Sequence, residues 1–221
     1  MQDIYLQIDA LTLSGNRPLV ICDVDEVVVH FLAALEDHLH ENDLWLDAVS
    51  FALNGNIRRR RDNEPIPVDE LHALLRNFFH TQTENFKAID GAIATLNGLS
   101  NRADLIFLTN LPGHYATARR KNLDAHGLTA PVLLNSGDKG PAVKHLAERA
   151  NVPCFFIDDA PDHITSVIEY IPHVETVHFV HDPRFDKILD PIEGTGLRAN
   201  HWDETSTHLD QWLKAANTTS T

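Results

Sequence analysis

Asp23 and Asp25 follow directly on the apolar run Leu19-Val20-Ile21-Cys22. Two acids spaced two apart on extended backbone point to the same side. Taken alone they suit a solvated turn as well as a site, since Asp is common at turns. Buried, each carboxylate would cost several kcal/mol unless paired or bound to a cation. The same kind of ending recurs twice. Leu105-Ile106-Phe107-Leu108 runs into Thr109-Asn110, and Cys154-Phe155-Phe156-Ile157 runs into Asp158-Asp159. Lys139 stands just ahead of a helix that opens near Pro141, where a cation reaches the same place. Three apolar runs ending in polar, chemically apt residues are unlikely by chance.

The elements needed to hold these residues follow from pattern. A short run apolar throughout reads as a strand buried on both faces, as in a parallel sheet. Strands are expected at 19–22, 105–108, 132–134, 154–157 and 177–180, with helical spacing between them from Ile89 onward. Gly127 suits a helix stop. The fold class is α/β, a Rossmann-like parallel sheet of about five strands with helices on both faces. All the polar endings then fall on one sheet edge, where ligands of open α/β sheets bind.

Residues 31–83 break the alternation. Leu32, Leu35 and Leu39 recur at helical spacing, and Trp45, Leu46 and Val49 resume it. A polar loop covers 54–67, and Val68, Leu71, Leu74, Leu75 and Phe78 mark another helix, with Pro67 ahead of it and Asp69-Glu70 in its first turn. The segment reads as a small all-helical insertion, leaving 1–30 and 84–221 as the core. Residues 4–13 form a lead-in element whose type the pattern leaves open. The stretch 182–200 is mostly loop, a last helix carries Leu209, Trp212 and Leu213, and 217–221 is a frayed polar end.

With 18 basic against 32 acidic residues among 221, the net charge is −14, which opposes binding to a nucleic-acid backbone. No apolar run is long enough to span a membrane, and 1–10 lacks the basic and apolar regions of a secretory signal. Cys22 and Cys154 lie in apolar runs and read as reduced core thiols of a cytoplasmic protein. The 14 histidines form no zinc spacing.

Asp23-Val24-Asp25-Glu26-Val27 resembles the first motif of the haloacid-dehalogenase-like phosphatases. Leu108-Thr109-Asn110 resembles their second, Lys139 their third, and Phe156-Ile157-Asp158-Asp159-Ala160 their fourth. The four stand in the family's order, and the insertion after the first matches a helical cap domain. The resemblance implies a Mg²⁺-dependent phosphatase acting on a small phosphorylated metabolite. Asp23 would be the nucleophile that forms an aspartyl-phosphate. Asp25 would serve as acid and base, a role that calls for a carboxyl kept protonated by the crowd of acids, and its main-chain carbonyl would ligate metal. Asp159, with Asp158 beside it, would complete a hard oxygen site with Asp23. Thr109 and Asn110 would bind phosphate oxygens, and Lys139 would steady both the aspartate and the phosphoryl group.

Two positions depart from that pattern. Glu26 replaces a small residue, and His163 stands where the family often has an acid or Asn, with Asp162 one earlier. Lys144 is the rival to Lys139 and reads as a surface residue. Arg58 to Arg61 suit a solvated loop or a cap loop that reads a second anionic group on the substrate. His114 near the second motif suits a plain loop residue, and Trp45 and Trp202 suit the core. Three rival functions are a dehalogenase, disfavoured by Asp25, a non-catalytic domain, disfavoured by the intact set, and a nucleotide-specific phosphatase.

Overall fold

Side-chain alternation along β1 (Leu19–Cys22) sets the architecture. In the computed structural model, which describes residues 3–219, Val20 and Cys22 enter one apolar layer with Phe107 and Phe155. Leu19 and Ile21 enter the other, with Ile106 and Phe156. Strand β1 is therefore buried on both faces. It is flanked by β4 (Asp104–Thr109) and β6 (Cys154–Asp158), both parallel to it. Outside them lie β5 (Val132–Leu134) on one side, then β7 (Glu175–Phe179) and β8 (Leu197–Ala199) on the other. The order is β5-β4-β1-β6-β7-β8, so the chain leaves β1 in both directions and a crevice opens at the strand ends between them.

Helices α1 (Ile4–Asp9), α6 (Gly140–Ala150) and α7 (Pro161–Tyr170) cover one face through Ile8, Val143, Leu146, Ile164 and Val167. Helices α4 (Ala92–Asn97), α5 (Ala116–Ala125) and α9 (Trp202–Thr219) supply Leu96, Leu123, Trp202, Leu209 and Leu213 to the other. Trp202 is core, with Nε1 donating to the Val27 carbonyl at 2.9 Å. The base of its side chain fixes Gly91, whose φ is +86° and where a Cβ would meet Trp202 Cβ at 2.8 Å. That glycine starts α4 at Ala92, so Ile89 lies outside the helix.

The inserted segment leaves and rejoins the core beside β1. Val29 bridges Ala88, and the His30 N–H donates to the Lys87 carbonyl at 2.9 Å. Helices α2 (Phe31–Glu41) and α3 (Val68–Gln82) make up its bulk. Between them, however, β2 (Leu44–Leu46) and β3 (Ile57–Arg59) pair antiparallel, so the insertion is helical but not all-helical. Helix α2 ends at Asn42-Asp43, where Asp43 takes a left-handed φ of +58°. Beyond it Leu44 and Leu46 turn inward while Trp45 stays half-buried, a period of two that three residues alone do not separate from helical spacing.

Two further expectations are corrected. The sheet has six strands, because Leu197–Ala199, read as loop, adds β8 parallel to β7. A three-residue strand with an arginine at its centre shows no apolar run. Helix α8 (Pro183–Ile188) also lies in that stretch, and its start was legible: Asp182 caps it, accepting from the Arg184 N–H at 2.8 Å, and Pro183 opens it. The lead-in element is α1, capped by Asp3. Of the expected frayed end, α9 runs to Thr219, and Ser220 and Thr221 lie outside the described residues, as do Met1 and Gln2 of the segment read for a signal. No described helix is long and apolar enough to cross a membrane.

One buried side chain in α2 works against stability. His38 is 5% exposed, packs on Phe78 with ring centroids 5.5 Å apart, and bonds through neither ring nitrogen. An unsatisfied buried polar group costs about 1–3 kcal/mol. His38→Leu should therefore raise the unfolding free energy by about 1 kcal/mol or more in urea titrations. A loss of stability would mean that the imidazole has a partner after all.

Candidate active site

The ends of β1, β4 and β6 bring together the residues singled out from sequence. Asp23 follows β1 and is buried, its N–H donating to the Ile157 carbonyl at 2.9 Å. Thr109 and Asp158 are the last residues of β4 and β6. Lys139, 1% exposed, reaches in from the start of α6. Its ammonium pairs with Asp23 Oδ1 and with Asp158 Oδ2, the latter at 2.7 Å. Gly140 makes that reach possible. Its N–H donates to Ser166 Oγ at 3.2 Å, and a Cβ there would overlap the same serine, so α6 begins flush against α7. Lys144 lies on the surface, 4.0 Å from Glu148.

Charge is unevenly matched here. Asp23, Asp158 and Asp159 are three carboxylates facing one ammonium. Burial pushes the Asp23 carboxyl up to about 7, with Lys139 opposing and Asp158 and Asp25 adding to the rise. Burial alone would lower Lys139, but Asp158 and Asp23 hold it above the ordinary lysine value. Asp158 is fully engaged, since its Oδ1 also accepts from the Ala160 N–H at 2.9 Å. Asp159 is not. Burial first, then Asp158, Asp23 and Glu26, raise its carboxyl well above the ordinary range. Its carboxylate meets no cation among the described residues, and its carbonyl accepts from His178 Nε2 at 3.0 Å. An acid so placed fits a hard divalent cation. No ready cage of three His, Cys, Asp or Glu side chains occurs among the described residues, so a metal here would also need oxygen donors from backbone, water or substrate.

Asp25 stands outside this crowd. Its Oδ1 pairs with Arg119 Nη2 from α5, a guanidinium 0% exposed, while the Asp25 side chain stays 22% exposed. Arg119 is held by Asn122 Oδ1 at 3.3 Å and by the Phe86 ring, 5.2 Å from centroid to guanidinium carbon. Asp25 therefore faces a fixed cation where the sequence suggested only neighbouring acids. Arg119 carries no motif and was missed; its one sequence signal is a charged residue on the inward face of an otherwise polar helix.

Glu26 has a left-handed backbone, φ +59°, which costs a non-glycine residue roughly 1 kcal/mol. Its carboxylate offsets this by capping α2, accepting from the Leu32 N–H at 2.8 Å where His30 makes no side-chain cap. Burial pushes the Glu26 carboxyl up to about 7, with the Leu32 N–H opposing. His163 joins the site through Asn110, whose Nδ2 donates to His163 Nε2 at 3.1 Å. Burial lowers His163, which suits a neutral ring that accepts at this nitrogen.

These residues line a cavity of about 300 Å³ whose other wall is the insertion. That wall consists of Phe31, Leu32, Phe51, Ala52, Leu53 and Phe79. Phe51 meets the core residue Phe185 edge-on at 5.4 Å, and the Tyr115 hydroxyl donates to the Arg76 carbonyl at 2.8 Å. None of Arg58 to Arg61 lines the cavity. Arg58 pairs by distance with Asp47 at 2.9 Å, Arg59 pairs with Glu70, Arg60 donates to the Leu44 carbonyl at 3.1 Å, and Arg61 pairs with Asp62 at 3.0 Å. The idea that this run reads a second anionic group is corrected accordingly. His114 is exposed away from the cavity, and Trp45 borders a separate surface cleft.

Solved structures of similar fold carry a common family name. A HAD family hydrolase of Deinococcus radiodurans with bound phosphate and sodium is 17% identical with TM-score 0.60, the match covering 90% of this chain and 97% of that one. The Bacillus subtilis protein YfnB, classed among the HAD-hydrolases and bound to magnesium, is 14% identical with TM-score 0.58, covering 88% and 99%. A haloacid-dehalogenase-like family hydrolase of Streptococcus pneumoniae is 11% identical with TM-score 0.59, again covering 88% and 99%. No protein-family model matches the chain, and no curated protein matches it in sequence. At such identities the likeness is one of fold. The chain has the fold of the haloacid-dehalogenase-like hydrolases, in the form with a helical cap inserted after the first strand.

Removing one partner of a buried ion pair costs about 3–5 kcal/mol, because the other charge is left in the interior. Asp25→Ala should thus lower stability by about 3 kcal/mol, since the Arg119 guanidinium is fully buried. Asp25→Asn keeps an acceptor and should cost clearly less. Equal losses in denaturant titrations would show that Arg119 does not depend on Asp25.

Proposed function

We propose that this protein is a Mg²⁺-dependent phosphomonoester hydrolase working through an aspartyl-phosphate on Asp23. The observation that carries the reading is Lys139, whose buried ammonium bridges Asp23 and Asp158 at the ends of adjacent strands. A nucleophile, a fixed cation and a hydroxyl at Thr109 meet in one cavity, and phosphoryl transfer is largely a matter of such positioning and charge. The phosphate and the magnesium seen in proteins of the same fold support it.

In this reading Asp23 Oδ attacks phosphorus, and the ester oxygen leaves. Lys139 holds the Asp23 carboxylate in line and offsets the charge that spreads over the phosphoryl oxygens. Thr109 and Asn110 donate to those oxygens. Asp25, held by Arg119 on one oxygen, takes a proton on the other from the water that cleaves the acyl phosphate and gives that proton to the leaving oxygen of the following turnover. Mg²⁺, held by Asp23, Asp159 and the Asp25 carbonyl with Asp158 behind them, would neutralise phosphate charge. Residues 31–83 act as the cap on a core of 1–30 and 84–221. They exclude water while the intermediate lasts. The unpaired buried thiols Cys22 and Cys154 suit the cytoplasm.

Asp23→Asn should abolish Mg²⁺-dependent hydrolysis across a panel of phosphomonoesters while the protein stays folded. Retained turnover in that variant would remove the covalent mechanism.

Stability separates the two acids of the last motif without any assay of turnover. In metal-free protein Asp158→Asn should destabilise, since it removes one of the two charges that face the buried Lys139 ammonium. Asp159→Asn removes a half-buried carboxylate that pairs with no cation among the described residues and should stabilise by on the order of 1 kcal/mol. Mg²⁺ should then raise the melting temperature of the native protein and leave that of Asp159→Asn unchanged. The reverse assignment would make Asp158 the direct ligand.

A further inference from the structure

The cavity is divided sharply by origin. Every polar or charged side chain lining it comes from the core: from the ends of β1, β4 and β6, the segments that follow them, and Lys139 at the start of α6. Every side chain that the insertion contributes is apolar. A phosphoryl group bound between Lys139 and Thr109 therefore projects its ester group toward Phe31, Phe51, Leu53 and Phe79, with Leu111 and Phe185 completing the wall from the core. No lysine or arginine of the insertion faces it, because the arginine run is engaged elsewhere. A polyol there would lose water without gaining partners, at a cost of about 1–3 kcal/mol for each hydroxyl left unpaired. An apolar group gains by the same transfer.

Two aromatic pairs frame the wall. Phe31 and Phe79 lie 5.9 Å apart with rings tilted by 32°, and Phe51 meets Phe185 at 5.4 Å and 72°. Phe51 is 37% exposed, an apolar surface that a bound ring would cover. At about 300 Å³ the cavity lies at the small end for ligand sites, room for a single ring or a short chain beside the phosphate.

We propose that the substrate is a phosphomonoester of a compact, uncharged, apolar alcohol, an aromatic one foremost, selected by the phenylalanine wall of the insertion. This rests on the hydrolase reading above.

The test compares benzyl, methyl and glycerol 3-phosphate with Mg²⁺. All three leave as aliphatic alcohols, so differences in kcat/KM report recognition of the ester group. Benzyl phosphate should exceed methyl phosphate by about ten- to a hundredfold, the range for burying a phenyl ring, and glycerol 3-phosphate should gain nothing over methyl. Phe51→Ala, at a half-open position, should shrink the benzyl-to-methyl ratio about tenfold while circular dichroism shows the fold retained. In parallel, benzylphosphonate and methylphosphonate, which cannot be hydrolysed, are titrated into the native protein with Mg²⁺ by calorimetry, and the benzyl compound should bind at least tenfold tighter. Turnover with no benzyl preference, or with glycerol 3-phosphate favoured, overturns the apolar pocket and leaves the hydrolase reading standing. Preferential benzylphosphonate binding without turnover of any ester upholds the pocket and overturns the hydrolase reading. Absence of both overturns both.

Discussion

A lysine ammonium enclosed between two carboxylates governs the layout of this molecule. Three charged groups out of water are tolerable only when each meets its opposite at hydrogen-bond distance. The chain meets that condition with three separate segments. Cys22 pairs with Ile157 in register, so the residues that follow, Asp23 and Asp158, emerge side by side. Lys139 must then arrive from the start of α6, and Gly140 lets that helix sit close enough on α7. A one-residue slip of β6 would turn Asp158 away and leave the ammonium half-paired in an apolar interior. The unbroken apolar strands and the two hydrophobic layers are what fix that register.

The two acids of the first motif differ because their partners differ. Asp23 lies among other carboxylates with Lys139, and burial keeps its carboxyl up at about 7. Asp25 is tied to Arg119, on a different helix. One cation, Lys139, thus holds Asp23, and another, Arg119, holds Asp25. Environments that separate two like groups are how acid, base and nucleophile come to be distinct. Among the described residues Asp159 is the acid of the three whose carboxylate forms no ion pair, and that imbalance is the physical argument for a divalent cation.

The three apolar strand endings and Lys139 were legible in the sequence because both signals are local: a hydrophobic run, then a polar residue. The core sheet followed for the same reason, apart from β8, whose three residues include Arg198 and show no run at all. Arg119 was not legible. It pairs with a residue 94 positions away, and only the packing of α5 brings the two together. The hairpin of the insertion escaped because two three-residue strands leave too few side chains to tell one period from another. Arg58 to Arg61 drew attention as a charge run, yet folding spends them on Asp47, Glu70, Asp62 and a carbonyl, as local hairpin chemistry.

The insertion is not a freely hinged lid. Leu35, Leu39 and Phe78 belong to the same continuous apolar layer as Val20, Phe107 and Phe155. Swinging the whole segment away would expose several such side chains, at about 1.5–3 kcal/mol each. The seam at 49–53 is far weaker. It has no helix or strand; Phe51 meets Phe185 edge-on, worth about 0.5–1.5 kcal/mol beyond area burial, and Leu53 packs half-buried against the apolar layer. Asn56 fastens this stretch internally, its Nδ2 donating to the Ser50 carbonyl at 3.0 Å and the Ala52 carbonyl at 2.9 Å. Opening at this seam would cost far less than lifting the helices and would leave the layer beneath in place. The residue at that seam is also part of the apolar wall, so an apolar ester group would close the route behind itself by covering Phe51. Exclusion of water and choice of substrate would then draw on the same side chain.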